Sequence, residues 1–248
     1  MTTGETCPSC GDQFDRLGTH WARSDCEYPT PTSETDEILT GILMGDGSLA
    51  SHDSENPYMR WNNVNRRFME FVHEKLKPIT TSLKVTRTVR ESYRYNEKRE
   101  DRDWPVHPEE YNDIYIIRTR RLPYFQRFKN WYTEDGKRFP DDLELTPVIA
   151  KYWYVCDGTV NWMRDYSAKI QFTSRNESGR EEFVTELFER AGFSIKRNRH
   201  MYYLSVDESK SMLEWMGSPL PGFEYKWEIG SRSSYERKKK RAHRQRFH

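Results

Sequence analysis

The sequence predicts an α+β protein built from two pseudo-symmetric αββαββα repeats, each running helix, hairpin, helix, hairpin, helix. A short capped apolar helix ending on Asp-Gly occurs twice, about 111 residues apart, and the same alternation of strand-like and helix-like stretches follows each copy. Three of the four cysteines crowd into the first 26 residues, marking a separate module. The boundaries implied are a metal-binding module at 1–31, repeats at 32–143 and 144–232, and a basic tail at 233–248.

A chain of 248 residues can bury a sizeable core. Its 32% charged and 35% hydrophobic residues lean towards disorder, but 8 Trp, 15 Tyr and 12 Phe supply the large side chains that a packed interior needs. No apolar run approaches the roughly 20 residues that span a bilayer. The start, "MTTGETCPSC", lacks a basic-then-apolar leader. A soluble intracellular protein is expected, of the cytoplasm, the nucleoid or an organelle, with no membrane partner. The net charge of +1 is unevenly spread: "SSYERKKKRAHRQRFH" holds seven Lys or Arg against Glu236, so the tail is +6 and the rest is −5. A basic run attracts polyanions by releasing their counterions. A solvated tail without a target fits the composition equally well.

In "CPSCGDQFDRLGTHWARSDC", Cys7 and Cys10 are followed by His20 and Cys26 in a CxxC-x9-H-x5-C spacing. Cys-x-x-Cys offers two thiolates to one cation, and His20 and Cys26 complete a Cys3His shell. Four protein ligands leave no open position, so structural Zn2+ is expected; an intracellular setting disfavours a disulfide. Cys156, isolated among aromatics, reads as a packing residue.

The first repeat opens with "TSETDEILTGILMGDG": Thr35 reads as the cap, Asp36 and Glu37 suit the first turn, and Ile38, Leu39, Ile42 and Leu43 form an apolar face. Strand patterns follow at 58–64, 83–95 and 111–120, and helical ones at 65–77 and 122–132. The second opens with "TPVIAKYWYVCDG", capped by Thr146 with Pro147 at the first helical position. A strand follows at 167–174, a helix at 178–192 closed by Gly192, a hairpin at 193–207 and a helix at 208–217. In "AKIQFTSR", Ile170 and Phe172 oppose Lys169, Gln171, Thr173 and Arg175; in "LKVTRTVRESYR", Val85 and Val89 oppose Lys84, Thr86, Thr88 and Arg90. Asp-Gly alone is a common turn dipeptide. Its recurrence in the same context is the informative feature.

"LTGILMGDG" (39–47) and "AKYWYVCDG" (150–158) resemble the two signature motifs of the monomeric LAGLIDADG homing endonucleases, over residues 35–230. The resemblance implies two signature helices side by side at the centre, each repeat curving into an antiparallel saddle over DNA. Gly41 and Gly45 would permit close helix approach, whereas Tyr152 and Cys156 at the equivalent places make the pair asymmetric. It further implies Mg2+ (or Mn2+) held by Asp46 and Asp157 with the carbonyls of Gly45 and Cys156, basic residues Lys137 and Lys226 beside the two centres, and Gln171 as a further polar group. Cys156 departs from the family by replacing a common penultimate Asp. The strand residues Lys84, Thr86, Thr88, Arg90, Arg118, Arg120, Lys169, Gln171, Thr173, Arg175 and Lys196 are the expected DNA contacts, by phosphate or base edge. The implied function is a monomeric double-strand DNA endonuclease with a long, partly palindromic site. The alternative is a nuclease-dead relative acting as a DNA- or RNA-binding factor, a maturase or a regulator.

Overall fold

In a computed structural model, which describes residues 4–51, 53, 55–91 and 112–244, two four-stranded antiparallel sheets flank a central pair of helices. The chain begins with a two-stranded ribbon, β1 (Glu5–Thr6) and β2 (Gln13–Phe14), and helix α1 (Leu17–Arg23), whose Leu17 and Trp21 are buried. Helix α2 (Ser33–Met44) follows. Its cap is Thr32, which accepts a hydrogen bond from the Thr35 N–H, so the expected cap Thr35 lies in the first turn instead. Both threonines carry the same capping chemistry, and the earlier one stops the helix from starting later.

The first sheet has the order β3 (Ser48–Ala50), β4 (Tyr58–Asn63), β6 (Ile114–Arg118), β5 (Lys84–Arg87), with α3 (Arg66–Lys75) joining β4 to β5. Two readings are corrected here. The strand expected over 83–95 spans only Lys84–Arg87, and residues 92–95 lie outside the described residues. Val85 lies opposite Tyr115 on the face that carries buried Trp61 and Ile117, as expected, yet it is 48% exposed because β5 is the edge strand of the sheet. The helix expected at 122–132 is a 3-10 helix, Pro123–Trp131. Its buried residues, Phe125, Phe128 and Trp131, recur every three positions, the period of that tighter helix.

A ribbon, β7 (Tyr132–Thr133) and β8 (Gly136–Lys137), leads to helix α4 (Pro147–Asp157), capped by Thr146 with Pro147 at its start, as expected. The second sheet has the order β11 (Ile195–Asn198), β12 (Met201–Leu204), β10 (Ser167–Thr173), β9 (Thr159–Arg164). Helices α5 (Glu181–Arg190) and α6 (Val206–Met216) cover it. In β10, Ala168, Ile170 and Phe172 are buried and their neighbours half-buried, the alternation expected of a sheet with one core face. The basic tail forms helix α7 (Arg232–Arg244), anchored by buried Tyr235. Among the described residues no helix is long and apolar enough to cross a membrane.

The central pair is packed closely. In α2 every residue from Ile38 to Met44 is buried, as are Ile149, Ala150 and Tyr152–Val155 in α4, so both helices are buried on nearly all sides. A Cβ at Gly41 would stand 2.5 Å from the Ile149 carbonyl oxygen and 2.8 Å from Tyr152 Cβ; one at Gly45 would stand 2.4 Å from Cys156 Cβ. The glycines of α2 therefore accept the larger residues of α4. Gly41→Val should lower stability by roughly 2 kcal/mol or more by forcing the helices apart, seen as an earlier urea midpoint; Gly18→Ala, where a Cβ meets nothing within 4 Å, is the matched control.

Candidate active site

The carboxyl ends of α2 and α4 meet with their last carbonyls unpaired by helix bonds. A lysine fills each end. Lys137 Nζ, from β8, donates to the carbonyls of Leu43 (2.6 Å), Gly45 (3.0 Å) and Gly47 (3.0 Å). Lys226 Nζ, from the turn Glu224–Trp227, donates to those of Tyr154 (3.0 Å), Val155 (2.8 Å) and Gly158 (2.6 Å). Leu43 and Gly47 hold the same places in their motif as Tyr154 and Gly158, so the two clamps are related by the repeat. A Cβ at Gly47 would meet the Ile42 carbonyl at 2.7 Å and one at Gly158 would meet Tyr154 Cδ2 at 2.0 Å, so only glycine lets the chain fold back here. All three protons of each ammonium are thus spent on backbone. The lysines reach the carboxylates through charge.

Asp46 follows α2 and Asp157 ends α4. Asp46 is open to solvent on one side and Asp157 is half-buried. The helix ends behind Asp46 remove part of its water, and this, with the negative charge of Asp157, pushes its carboxyl up to about 6; Lys226, Lys137 and a hydrogen bond from Asn63 pull the other way. Burial also raises Asp157, against both lysines. Complete burial lowers Lys226 to about 8, offset by Cys156 and the two aspartates, which leaves it charged at neutral pH. Burial lowers Lys137 likewise. The Cys156 thiol is held neutral by burial and by Asp46.

Among the described residues no Lys, Arg or His is in ion-pair contact with either carboxylate. Two acids, both raised by burial and Asp46 further by the charge of Asp157, stand beside carbonyl oxygens and form a hard-oxygen donor set, which fits Mg2+ or Mn2+. Asp46 and Asp157 would hold it. The Gly45 carbonyl accepts from Lys137 with one lone pair and keeps the other; the Cys156 carbonyl is not one of the three that Lys226 uses.

Residues 36–213 match the family model of the LAGLIDADG DNA endonuclease family. The chain belongs to that family. A search of curated protein sequences finds no match. Among solved structures, the homing endonuclease I-WcaI bound to its DNA recognition sequence is similar with a TM-score of 0.61 at 14% identity, covering 81% of this chain and 88% of that one. The LAGLIDADG meganuclease I-AabMI bound to uncleaved DNA is similar at 11% identity, with a TM-score of 0.41, covering 82% and 97%. The first of these likenesses supports the two-repeat fold.

The sheets of this LAGLIDADG protein carry the repeat into register. Ser48 faces Arg60 across β3 and β4, and Thr159, at the equivalent motif position, faces Gln171 across β9 and β10. Gln171 therefore has Arg60 as its counterpart. Arg60 in turn faces Arg118, and both are exposed. On the second sheet Lys196, Tyr203 and Gln171 lie in one row, and Lys169 Nζ stands 5.6 Å from the Tyr203 ring. Lys84, Thr86 and Arg90 are exposed and Thr173 is half-buried. Arg175 donates to His200, and Thr88 is tied to the Glu91 carboxylate. Arg120 stands apart from the expected row: it is paired with Glu5 and lies 5.8 Å from the Trp21 ring, joining the amino-terminal module to the first sheet.

In that module Cys7 Sγ is 3.5 Å from Cys26 Sγ and Cys10 Sγ is 3.6 Å from His20 Nε2, and the four ligand atoms lie within 4.8 Å of one another. A tetrahedral zinc–thiolate shell has edges of about 3.7 Å, so the cluster fits zinc. His20 stacks on Phe14 at 3.7 Å and its Nδ1 is 3.3 Å from Ser24 Oγ, which turns Nε2 to the cluster.

Sequence reasoning missed Asn63 and Arg60. Neither belongs to a motif, and only the strand register reveals them. The clamp itself has a stability consequence. Lys226→Met should cost about 3 kcal/mol or more, since three buried carbonyls lose a charged donor, measured by urea unfolding. The raised Asp46 has the opposite sign. Its folded value exceeds the unfolded one, so its contribution is present below about pH 4 and lost as pH rises through about 6. Asp46→Asn should therefore raise the Tm of metal-free protein at pH 7 and flatten its dependence between pH 4 and 6.

Proposed function

We propose that this chain is a site-specific, divalent-metal-dependent endonuclease that hydrolyses one phosphodiester in each strand of double-stranded DNA. The observation that carries the reading is the meeting of Asp46 and Asp157 at two lysine-clamped helix ends, with no cationic side chain in ion-pair contact with either among the described residues. Mg2+ or Mn2+ held by these carboxylates would supply charge neutralisation at the phosphate and a more acidic water. The chain's own groups do the rest. Lys137 and Lys226 fix both helix ends and lay positive charge beside developing negative charge. Asn63 orients Asp46 by its hydrogen bond. Gln171 and Arg60 flank the two centres at equivalent places.

The substrate reading is supported by the exposed faces of the sheets and by the DNA held in I-WcaI and I-AabMI. Like charges facing each other across a sheet, as Arg60 and Arg118 do, oppose folding unless a polyanion lies over them. Lys84, Thr86, Thr88, Arg90, Arg118, Lys169, Thr173, Arg175 and Lys196 contact DNA in this reading, and Arg120 serves the module. Two halves in one chain suit a monomer acting on a long, partly palindromic site. Zn2+ on Cys7, Cys10, His20 and Cys26 is structural and holds β1, β2 and α1 against the first sheet.

Cleavage of a randomised double-stranded DNA library with Mg2+, with sequencing of the cut ends, tests the function. The parent protein should enrich one long site. Asp46→Asn and Asp157→Asn should each cut at least ~100-fold more slowly, as loss of one preorganised charged group does, while binding that site about as well as the parent. Retention of one site by the parent without any cutting would instead indicate a nuclease-dead binding factor. Native mass spectrometry should find one zinc per chain, lost in Cys10→Ser, with a lower Tm and altered Trp fluorescence from Trp21.

A further inference from the structure

A cavity of about 320 Å³ opens beside the end of α4, bounded by Asn63, Cys156, Gly158, Lys226, Tyr235 and Lys239. Its lining carries two ammonium groups and no carboxylate. Lys226 spends its protons on carbonyls, as described above. Lys239 does not: it is half-buried on the docked face of α7, one turn beyond Tyr235, with its Nζ 5.6 Å from the Tyr235 ring. Tyr235 fixes that turn by edge-on contacts with Trp162 and Tyr225, both at 5.5 Å. The neighbouring Lys238 turns away to pair with Glu228.

Two cations held at one cavity repel, and the charge of Lys239 weakens the hold of Lys226 on its proton. Such an arrangement is favourable when an anion enters. The repeat-related end is different: the charge of Glu177, a carboxylate, reaches Lys137, and the largest charge influences on it all come from negative groups. Asn63, on the cavity wall, bonds to Asp46, so the cavity adjoins the carboxylate pair.

We propose that Lys239, carried by the carboxyl-terminal helix, binds a phosphate group of the DNA backbone beside the end of α4, so that the two cleavage half-sites are unequal. This rests on the reading of the helix ends as a cleavage centre. Lys239 is the free donor, and Lys226 adds charge from behind. The strand whose phosphate lies at α4 is held more firmly and is cut first.

The first test needs no cleavage. Inorganic phosphate is titrated at constant ionic strength and the Tm followed for the parent, Lys239→Gln, Lys239→Arg and the exposed-face double variant Arg237→Gln/Lys240→Gln. The parent should be stabilised, with apparent affinity about tenfold weaker in Lys239→Gln, the loss of one charge-assisted contact. Lys239→Arg and the double variant should respond like the parent. An unchanged response in Lys239→Gln, or an equal loss in the double variant, would overturn the site. The second test labels each strand of the cleaved DNA. Lys239→Gln should slow one strand selectively and accumulate nicked product; equal slowing of both strands would overturn the inequality. A phosphate response that depends on Lys239 in a protein that cuts no DNA would retain the anion site and remove the cleavage reading.

Discussion

Gly41 and Gly45 let α2 lie against α4 with almost no side chain between the backbones, and the rest of the structure follows from that contact. Helices this close bring their carboxyl ends together, where each macrodipole adds about half a negative charge to Asp46 or Asp157. Left alone, the junction would drive the helices apart. Lys137 and Lys226 offset it from within, one ammonium per end, and the cost of burying them is met by three carbonyl bonds each. The clamp neutralises the dipoles and leaves both carboxylates without a cationic side chain in ion-pair contact among the described residues. That division of labour sets the junction apart from an inert helix crossing.

The same economy shows in the charge distribution. A −5 body repels a polyanion on average, yet several acidic groups are spent in ion pairs: Glu5 with Arg120, Glu34 with Lys75, Glu224 with Arg67, Glu181 with Arg197. Arg60 and Arg118 remain facing each other on the first sheet. Net charge measures neither feature; the placement of each sign does.

The repeat, the two aspartates and the Cys3His cluster were legible in the sequence because each is a local pattern, whereas the two lysines were reached only through the family resemblance. Helix caps at Thr146 and the alternation in β10 are likewise local. What was not legible depends on tertiary register. Val85 is exposed although it lies on the inward face, because β5 is the edge strand, which alternation cannot show. Arg120 reads as one of a row of strand cations, and only the docking of β1 and α1 turns it to Glu5. The three-residue spacing of Phe125, Phe128 and Trp131 was present, but it is close enough to 3.6 to pass for an α-helix. Arg60 and Asn63 gain meaning only when Ser48 is seen to oppose Arg60 as Thr159 opposes Gln171. Lys239 is indistinguishable from its neighbours in a run of basic residues until α7 is docked by Tyr235.

Two halves in one chain are free to differ, and the helix contact shows how far they have. A symmetric crossing would place identical residues on both sides; here glycines on α2 receive Tyr152 and Cys156 from α4, so each helix is shaped for the other and not for a copy of itself. The asymmetry extends outward from that seam. Behind α2, Lys137 sits in the field of buried Glu177, which also accepts from the Phe139 N–H and pairs with Arg180. Behind α4, Lys226 is sealed by Tyr154, Phe223 and the carboxyl-terminal helix. One lysine is braced by an anion and the other by aromatic faces, so the same clamp geometry is reached with different local charge. Related halves thus present unlike surroundings to one shared clamp, which is the freedom that two copies in one chain allow.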